Sequence, residues 1–252
     1  MGREAFAFYP GIHHPGCAQH FARACISINT VRGRKKPVDC PDVLLDSGAF
    51  TELHKHGGYR HSVEVYAAEV RRLHEMGVLR ITAAVAQDFM CEAFMLEQTG
   101  LSIPEHQRLT IERFDALMAQ ALPVPVMPVL QGFDPADYAR HVRDYGGRLA
   151  RGAWVGVGSV CKRQGDPRSI IRVLAAIRSE RPDLRLHGFG VKTTALEHPG
   201  VRELLDTADS MAWSYAARKQ GRDSNDWREA RSFESRVMRP LPSTIWQTEL
   251  AL

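Results

Sequence analysis

Three aspartates stand next to short apolar segments of the 252-residue chain. Asp46 closes the segment Val-Leu-Leu-Asp, Asp88 follows Ala-Val-Ala-Gln, and Asp209 opens the last apolar segment. Two carboxylates on different strands are enough for nucleophilic attack on a carbon and for proton transfer at a leaving group. Each aspartate taken singly is more often the N-cap of a helix. Three aspartates at one edge of a sheet favour a catalytic role over three separate helix caps.

An amide and several glycines follow other apolar segments. Gln131 precedes Gly132, and its amide can read a carbonyl or an amino group, although the pair is also typical of a turn. Residues 156–159 (Gly-Val-Gly-Ser) and 187–190 (His-Gly-Phe-Gly) are compatible with turns or close packing. No Lys follows at the spacing of a P-loop, and the complete Gly-x-Gly-x-x-Gly signature is missing. We therefore exclude a P-loop, and a dinucleotide-binding fold lacks its signature.

Apolar segments alternate with amphipathic stretches along most of the chain, which is typical of βα units around a parallel sheet. The expected strands are Ala5–Tyr9, Cys25–Val31, Val43–Asp46, Arg80–Asp88, Val124–Gln131, Trp154–Val160, Arg185–Val191 and Ser210–Ser214. Eight such units in about 250 residues predict an α/β fold, a compact TIM-type (β/α)8 barrel, as one domain over 1–252. An open doubly wound sheet is the alternative. In either fold the active site lies at the carboxyl ends of the strands.

Amphipathic helices are expected between these strands. They span His61–Met76, Pro104–Leu122, Pro135–Leu149 and Pro167–Ser179. Proline in the first turn of the last three favours a helix start, and Asp134 and Asp166 are plausible N-caps. Gly221–Asn225 has the composition of a mobile loop.

The net charge is modest, with 33 Lys and Arg against 29 Asp and Glu, but the cations are clustered. One cluster contains Arg34 and Lys35, and another begins at Arg218 and Lys219 and continues to Arg239. Such clusters suit a polyanion such as nucleic acid, whose phosphates supply much of the binding free energy. A solvated surface is an equally good interpretation of the charge alone.

Cysteine use and hydropathy predict a cytoplasmic protein with no membrane partner. The five cysteines are odd in number and show no Cys-x-x-Cys spacing, so reduced thiols are expected. Polar residues, Pro or Gly interrupt each apolar stretch well before the roughly 20 residues of a membrane span. The N-terminal residues lack the apolar core of a signal peptide.

One histidine-rich segment could supply metal ligands. His13, His14, Cys17 and His20 lie close together in sequence, but their spacing matches no zinc motif. Phosphate contacts or ordinary helix-start residues are the favoured interpretations, so we expect no metal. Cys161 has no adjacent His or acid that would mark a thiol catalyst, and we treat it as structural.

The ordered set of motifs resembles the tRNA-guanine transglycosylase superfamily. The resemblance spans roughly residues 43–219 and comprises Asp-Ser-Gly-Ala-Phe at 46–50, Asp88, Gln-Gly at 131–132, the motifs at 156–159 and 187–190, and Asp209. Its most specific part is Asp-Ser-Gly-Ala-Phe combined with the later Gln-Gly. Within the superfamily the chain looks most like the short DpdA-like branch, which inserts 7-deazaguanine bases into DNA.

The resemblance implies a glycosyltransferase that replaces guanine in DNA by a 7-deazaguanine such as preQ0 or a relative, without a cofactor. Exchange at C1′ with retention needs one carboxylate to attack the sugar and a second group to move protons at the departing and arriving bases. By similarity, Asp209 is the nucleophile that forms a glycosyl-enzyme intermediate. Asp46 is then the general acid/base at the base nitrogen.

The same resemblance implies a site for the guanine-like ring. Asp88 would accept hydrogen bonds from N1–H and the 2-amino group, because a carboxylate opposite two parallel donors reads guanine and rejects adenine. Gln131 and the Gly158 N–H would bind the O6 side. Phe50 and His187 match positions whose side chains sandwich the base. The neighbouring motif residues that complete the expected base site are Ser47, Gly132 and Gly188.

Two departures from the tRNA-acting relatives favour DNA. Those relatives usually carry a C-terminal zinc site of three Cys and one His, whereas no Cys follows Cys161 here, so a zinc subdomain is not expected. The segment after Asp209 also reads Ser-Met-Ala-Trp-Ser-Tyr in place of the usual Cys-Val-x-Pro-Thr-Arg. The cations assigned to the backbone of a nucleotide flipped out of the stack are Arg34, Lys35, Arg218 and Lys219.

Three other functions stay open at this point. They are the same chemistry on tRNA, a catalytically silent nucleic-acid-binding subunit, and a barrel enzyme for a small phosphorylated metabolite. The three aspartates count against a silent subunit, which has no chemical reason to hold three acids at one edge. Helper proteins for unwinding or for base supply are compatible with the sequence.

Overall fold

The structure, a computed structural model, describes residues 5–160 and 166–241. It is a mixed α/β fold with parallel sheets. The strands described are β1 (Ala7–Pro10), β2 (Ala24–Ser27), β3 (Val43–Asp46), β4 (Ile81–Val85), β5 (Val126–Met127), β6 (Val129–Leu130), β7 (Trp154–Val157), β8 (Arg185–Gly188) and β9 (Thr207–Ser210).

Helices follow most of these strands. They are α1 (Ile28–Val31), α2 (Ala49–His56), α3 (Val63–Glu75), α4 (Ala93–Thr99), α5 (Ile103–Met118), α6 (Pro135–Tyr145), α7 (Pro167–Glu180), α8 (Thr193–Leu196), α9 (Pro199–Leu204), α10 (Ala212–Lys219) and α11 (Trp227–Val237). Two 3₁₀ helices cover Pro15–His20 and Gly146–Arg148.

The strands form two parallel sheets. One has the order β1-β9-β8-β7-β6 and the other the order β2-β3-β4-β5. The sheets adjoin at two places. An isolated parallel bridge pairs Gly11, just after β1, with Cys25 of β2. At the other end, Pro128 alone separates β5 from β6.

Strand side chains alternate between two hydrophobic clusters, as the two-residue period of a strand requires. In β3, Val43 and Leu45 belong to the larger cluster, which also contains helix residues such as Tyr66 and Val70. Leu44 points to the smaller cluster. That cluster draws on six strands and consists of Tyr9, Cys25, Leu44, Ala83, Val85, Met127 and Val129. Apolar side chains therefore cover both faces of the strands.

The four helices expected from hydrophobic periodicity are confirmed, with shifted ends. Ser62 caps α3, where its side chain accepts a hydrogen bond from the Val65 N–H. Ser102 and Glu105 form a capping box at α5, which begins one residue before the expected proline. Asp166 accepts the Arg168 N–H at 3.0 Å and caps α7 as expected. Asp134 occupies the N-cap position of α6.

Three of the expected strands are wrong in part, and one of these, Val124–Gln131, is divided at Pro128 into β5 and β6. Cys25–Val31 divides into β2 and the short helix α1. The predicted strand Ser210–Ser214 lies earlier, at Thr207–Ser210, and the helix α10 begins at Ala212. Apolar runs of this length fit a strand or a buried helix equally well, and here Trp213 uses helical geometry to donate from Nε1 to the Gly11 carbonyl at 2.9 Å. Cys161 lies outside the described residues.

None of the helices in the described part of the chain combines the length and the apolar character that a membrane crossing requires.

Candidate active site

A cavity of about 230 Å³ opens at the carboxyl ends of the strands. It brings together the three expected acids and the expected amide, since Asp46, Asp88, Gln131 and Asp209 all line it. These side chains come from the ends of β3, β4, β6 and β9, which are distant in sequence and converge because the strands are parallel. Both sheets therefore contribute to the cavity.

Asp209 is held at the end of β9 by donors on the neighbouring strand β8 and just after it. Its Oδ1 accepts the Gly190 N–H at 2.9 Å and lies 3.3 Å from Nε2 of His187. The residue is 8% exposed and lines the cavity. An anion oriented by two donors at the wall of a cavity has the geometry of a positioned nucleophile.

The partners of its two ring nitrogens assign the tautomer of His187. Nε2 faces a carboxylate oxygen of Asp209, which only accepts, so Nε2–H is the donor there. Nδ1 of the neutral ring then accepts from the Thr207 hydroxyl, which lies 2.8 Å away and itself accepts the Trp154 Nε1–H at 2.8 Å. His187 is fully buried and, within the described chain, is not among the residues that line the cavity. In the structure Nε2 of His187 meets Asp209, and the expected stacking of this ring on the base stays a prediction.

Asp46 ends β3, and its Oδ2 accepts the N–H of Gly48 at 2.9 Å. Burial, reinforced by the charge of Asp209, raises the pKa of Asp46 to about 6, against lowering by the hydrogen bond from Gly48. Gly48 has φ of +77°, and a Cβ there would lie 2.3 Å from Nδ2 of Asn29, so only glycine fits. A carboxyl group with this pKa exchanges a proton near neutral pH, as a general acid/base must.

Asp88 is also buried, at 6% exposure. Its Oδ1 accepts from the hydroxyl of Ser47 at 3.4 Å, and its Oδ2 accepts from Nε2 of Gln131. Tyr59 donates to its backbone carbonyl at 2.8 Å. Burial raises the pKa of Asp88 to about 7, with a further contribution from the charge of Asp46, while the Gln131 bond opposes the rise.

The Gln131 side chain lies between Asp88 and Ser159. Its Oε1 is 2.7 Å from the hydroxyl of Ser159. A Cβ on Gly158 would lie 2.1 Å from Gln131 Nε2, so this glycine leaves room for the amide. The Gly158 N–H donates to the Leu130 carbonyl at 3.0 Å. The backbone donor expected to meet the base is therefore already engaged with Leu130.

The backbone of Gln131 is fixed by two side chains from α5 and α6. Its N–H donates to Nδ1 of His141 at 2.9 Å, and its carbonyl accepts from Nε2 of Gln107 at 2.7 Å. Burial lowers the pKa of His141 to about 3, so the ring is neutral and can accept at Nδ1. The helices behind the strand thereby set the position of the amide in the cavity.

Two phenylalanines line the cavity. Phe50 of α2 is 45% exposed, and Phe189 follows β8. A Cβ on Gly156 would lie 2.2 Å from the Phe189 ring, so that ring packs closely on β7. Phe50 was an expected site residue, whereas Phe189 was known only as part of the His-Gly-Phe-Gly motif.

Three expected base-site residues lie behind the cavity surface. Ser47 is 2% exposed and contacts Asp88. A Cβ on Gly132 would lie 2.7 Å from the Cβ of Asp137, and one on Gly188 would lie 2.7 Å from Cγ2 of Val191. The two glycines therefore permit close packing, and among the described residues that line the cavity none of the three occurs.

The four expected backbone-binding cations lie on two separate segments. The Arg34 guanidinium donates to the Lys36 carbonyl at 2.8 Å in the loop after α1, where Lys35 is exposed. Arg218 and Lys219 are exposed on α10 and lie 5.5 Å and 5.2 Å from the ring centre of Tyr215. The α10 pair is nearer in sequence to Asp209, but none of the four lines the cavity described here.

The side chains of the histidine-rich segment lie apart from one another, before and along the 3₁₀ helix Pro15–His20. His13 lines the cavity, with Nε2 3.0 Å from the hydroxyl of Ser214. His20 stacks on Trp227 at 3.8 Å between ring centres. His14 and Cys17 complete the segment. Among residues 5–160 and 166–241, no group of three or more His, Cys, Asp or Glu is arranged to hold a metal ion.

Sequence reasoning missed several residues of the cavity. Cys25 lines it on β2, and burial together with the charges of Asp209 and Asp46 raises the pKa of its thiol well above the usual range. Ser159 and Phe189 also line it. The sequence carried a signal for both, because Ser159 stands in the motif at 156–159 and Phe189 in the motif at 187–190.

An α/β fold with three acids and an amide at the carboxyl ends of parallel strands is consistent with an enzyme of the transglycosylase type. The family model for DpdA, described as DeoxyPurine in DNA protein A, matches residues 7–228. The chain belongs to the DpdA family, and the resemblance seen in its motifs is confirmed. Family membership indicates a role in the modification of deoxypurines in DNA. No curated protein matched the chain in a comparison of sequences.

Proposed function

We propose that the protein is a base-exchange glycosyltransferase that replaces guanine in DNA by a 7-deazaguanine derivative. The observation that carries this proposal is the convergence of Asp46, Asp88, Gln131 and Asp209 on one cavity. Asp209 and Asp46 divide the chemistry at the sugar, and Asp88 with Gln131 reads the base.

In the first half of the reaction, a carboxylate oxygen of Asp209 attacks C1′ of the extruded nucleotide. The C1′–N9 bond breaks, its electron pair stays on the departing guanine, and Asp46 gives that base a proton. A covalent aspartyl-glycosyl intermediate results. The pKa of about 6 supports the assignment of Asp46, because such a group can give and retake a proton at neutral pH.

In the second half, the incoming base replaces the guanine in the same site. Asp46 removes the proton from its N9, N9 attacks C1′, and the bond to Asp209 breaks. Two displacements retain the configuration at C1′, as in retaining glycosidases. The balance of protons requires no cofactor.

Base recognition follows from the chemistry of the cavity. When ionised, Asp88 can accept from N1–H and the 2-amino group of guanine, which adenine lacks in that arrangement. Phe50 and Phe189 line the cavity and are the candidates for stacking on the ring. Stacking accepts guanine and 7-deazaguanine alike, so a common site can hold the departing and the arriving base.

We also propose that the two sheets are parts of one (β/α)8 barrel in a single domain. The bridge between Gly11 and Cys25 and the short break at Pro128 support a continuous ring of strands. The cluster around Leu44, drawn from six strands on the face away from the helices, supports a filled interior.

Uptake of radiolabelled guanine by duplex DNA, single-stranded DNA and unmodified tRNA tests the reaction and the polymer together. We expect uptake into DNA by the purified protein and none by Asp46→Ala or Asp209→Ala. Uptake into tRNA alone would keep the chemistry and overturn the substrate. No uptake into any polymer, with preQ0-type bases also tried, would contradict the proposal.

A further inference from the structure

Ser159 lies directly behind the base-reading amide and has no role in the chemistry proposed above. It follows Gly158 at the end of β7 and is 4% exposed. Its φ is +55°, which is unusual for a residue other than glycine. A buried residue held in the left-handed region is kept there by its surroundings, and such residues cluster at functional sites.

The hydroxyl of Ser159 is surrounded by three polar partners. It accepts the Cys91 N–H at 2.9 Å, and it lies 2.7 Å from Oε1 of Gln131 and 2.9 Å from Oε2 of Glu92. Both side-chain partners are oxygens, and the one hydroxyl proton can be donated fully to only one of them. Of the two, Gln131 Oε1 is the nearer.

Asp88 holds the opposite end of the same amide. Its Oδ2 accepts from Gln131 Nε2, so the amide oxygen faces Ser159 and the amide nitrogen faces Asp88. An amide turned end for end would place Oε1 against Asp88, whose carboxylate repels it when ionised. Ser159 and Asp88 therefore favour the same orientation.

This orientation matches the edge of a guanine-type ring. In guanine, O6 is bonded to the carbon next to N1–H. If Asp88 Oδ2 accepts N1–H, the second hydrogen of the adjacent Gln131 Nε2 meets O6. In a ring with an amino group at position 6, that amino group and Gln131 Nε2 would both be donors and would face each other.

We propose that Ser159 is a positioning residue that fixes the orientation of the Gln131 amide and thereby the preference for a 6-oxo over a 6-amino purine. This inference rests on the proposed function, since it assumes that Asp88 and Gln131 bind the base. Loss of the hydroxyl removes one of the two contacts that hold the amide, so the turned amide, which presents Oε1 to a 6-amino group, becomes more populated.

Equilibrium binding of two free bases tests the inference without a requirement for catalysis. 7-Deazaguanine and 7-deaza-2,6-diaminopurine differ at position 6 and in the proton on N1. We expect the wild-type protein to prefer 7-deazaguanine and Ser159→Ala to reduce that preference about tenfold, the equivalent of one net hydrogen bond. The ratio of affinities does not depend on the folded fraction, so a merely structural role would leave it unchanged.

Two further variants separate the hydroxyl from the backbone. Ser159→Gly also removes the hydroxyl but suits a φ of +55°, and we expect it to lose the same preference as Ser159→Ala. Ser179→Ala is the matched control, because that hydroxyl bonds the Ala175 carbonyl within α7 and lies outside the cavity.

An unchanged ratio in both Ser159 variants would overturn the inference and leave the proposed function intact. A ratio that changes in only one of them would assign the effect to the backbone and would overturn it as well. Failure of the wild-type protein to bind either base, or to prefer the 6-oxo base, would contradict both the inference and the proposed base site.

Discussion

Burial of Asp88 disfavours the ionised form of its carboxyl group. Its pKa of about 7 in the folded protein lies well above the value of about 4 in an unfolded chain. At pH values between these two pKa values, the folded protein therefore holds a proton on Asp88 that the unfolded chain has released. The contribution of Asp88 to stability is present below pH ~4 and is lost as the pH rises to ~7.

Asp88→Asn removes the cost of burying this charge and is expected to raise the free energy of unfolding at pH 8 by about 4 kcal/mol, while it removes base binding. The gain should shrink as the pH falls toward ~4. Urea unfolding of both proteins at pH 5 and pH 8 measures it.

Asp183→Asn provides a contrast of opposite sign. Its hydrogen bonds with Arg181 hold the pKa of Asp183 below its usual range, so its charge stabilises the fold at neutral pH and that contribution is lost in acid. We expect this variant to be less stable than the wild type at pH 8. An Asp88→Asn protein that gains nothing between pH 5 and pH 8 would show that Asp88 is not destabilised by burial.

Gly158 has no side chain and so leaves room for the Gln131 amide, and Gly158→Ala tests that role. The new Cβ would lie 2.1 Å from Gln131 Nε2 and must displace the side chain. We expect kcat/KM for base exchange to fall about tenfold or more, since at least one hydrogen bond to the base is lost. Gly147→Ala is the control, because a Cβ there meets no atom within 4 Å. Equal activity of the two variants would refute the role.

At the scale of elements, β8 and the residues just after it support the proposed nucleophile on β9. His187 and Gly190 both donate to Asp209 Oδ1, and Thr207 contacts the other nitrogen of the imidazole. This support needs β8 and β9 to be parallel neighbours, as they are in the sheet order.

His187→Ala removes one donor to Asp209 without touching the cavity surface. We expect kcat to fall about tenfold to a hundredfold with little change in the KM for the free base, because the lost interaction acts on the nucleophile. The kcat of His187→Gln, which keeps an N–H donor, should lie between those of His187→Ala and the wild-type protein. Steady-state kinetics of base uptake separate kcat from KM. A rise in KM with an unchanged kcat would instead support stacking of His187 on the base.

The strands and the amphipathic helices were predictable because their periodicities are strong. Val43–Asp46 matches β3 to the residue, and His61–Met76 contains α3. The predicted strand Val124–Gln131 is interrupted in the structure, where Pro128, which has no N–H for the ladder, separates β5 from β6. The short helices α1, α8 and α9 lack enough turns to show a helical period, so sequence reasoning did not find them.

The acids and the amide of the site were predictable because they follow apolar strands. The contacts of the residues behind these side chains were not predictable. The stacking role expected for His187 depended on which way its side chain points, and the engagement of the Gly158 N–H depended on the pairing of β6 with β7. Both are set by tertiary contacts that local sequence does not encode.

At the scale of the whole molecule, the proposed function requires the site to receive a nucleotide extruded from a polymer. The exposed segment nearest in sequence to Asp209 is α10, whose Arg218 and Lys219 lie over Tyr215. Cations beside an exposed aromatic ring suit a phosphate backbone and an adjacent base. The α10 helix is therefore our candidate contact for the DNA strand.

The double substitution Arg218→Ala with Lys219→Ala is expected to weaken DNA binding and to lower the slope of log K against log salt by about 1.8, the equivalent of two phosphate contacts. Affinity measured over a salt series gives the slope. Arg108→Ala on α5 removes a cation that pairs with Glu112 away from the cavity and should leave the slope unchanged. Equal slopes for all three proteins would exclude α10 from the interface.

The central claim is that Asp209 forms a covalent bond to the sugar of a guanine nucleotide in DNA. The most direct test is denaturing mass spectrometry of the protein after incubation with a guanine-containing DNA duplex, followed by peptide mapping. The account predicts a protein–DNA adduct on the peptide that contains Asp209, its release on addition of a 7-deazaguanine base, and its absence in Asp209→Asn. An adduct on another residue, or base exchange catalysed by Asp209→Asn at the wild-type rate, would contradict it.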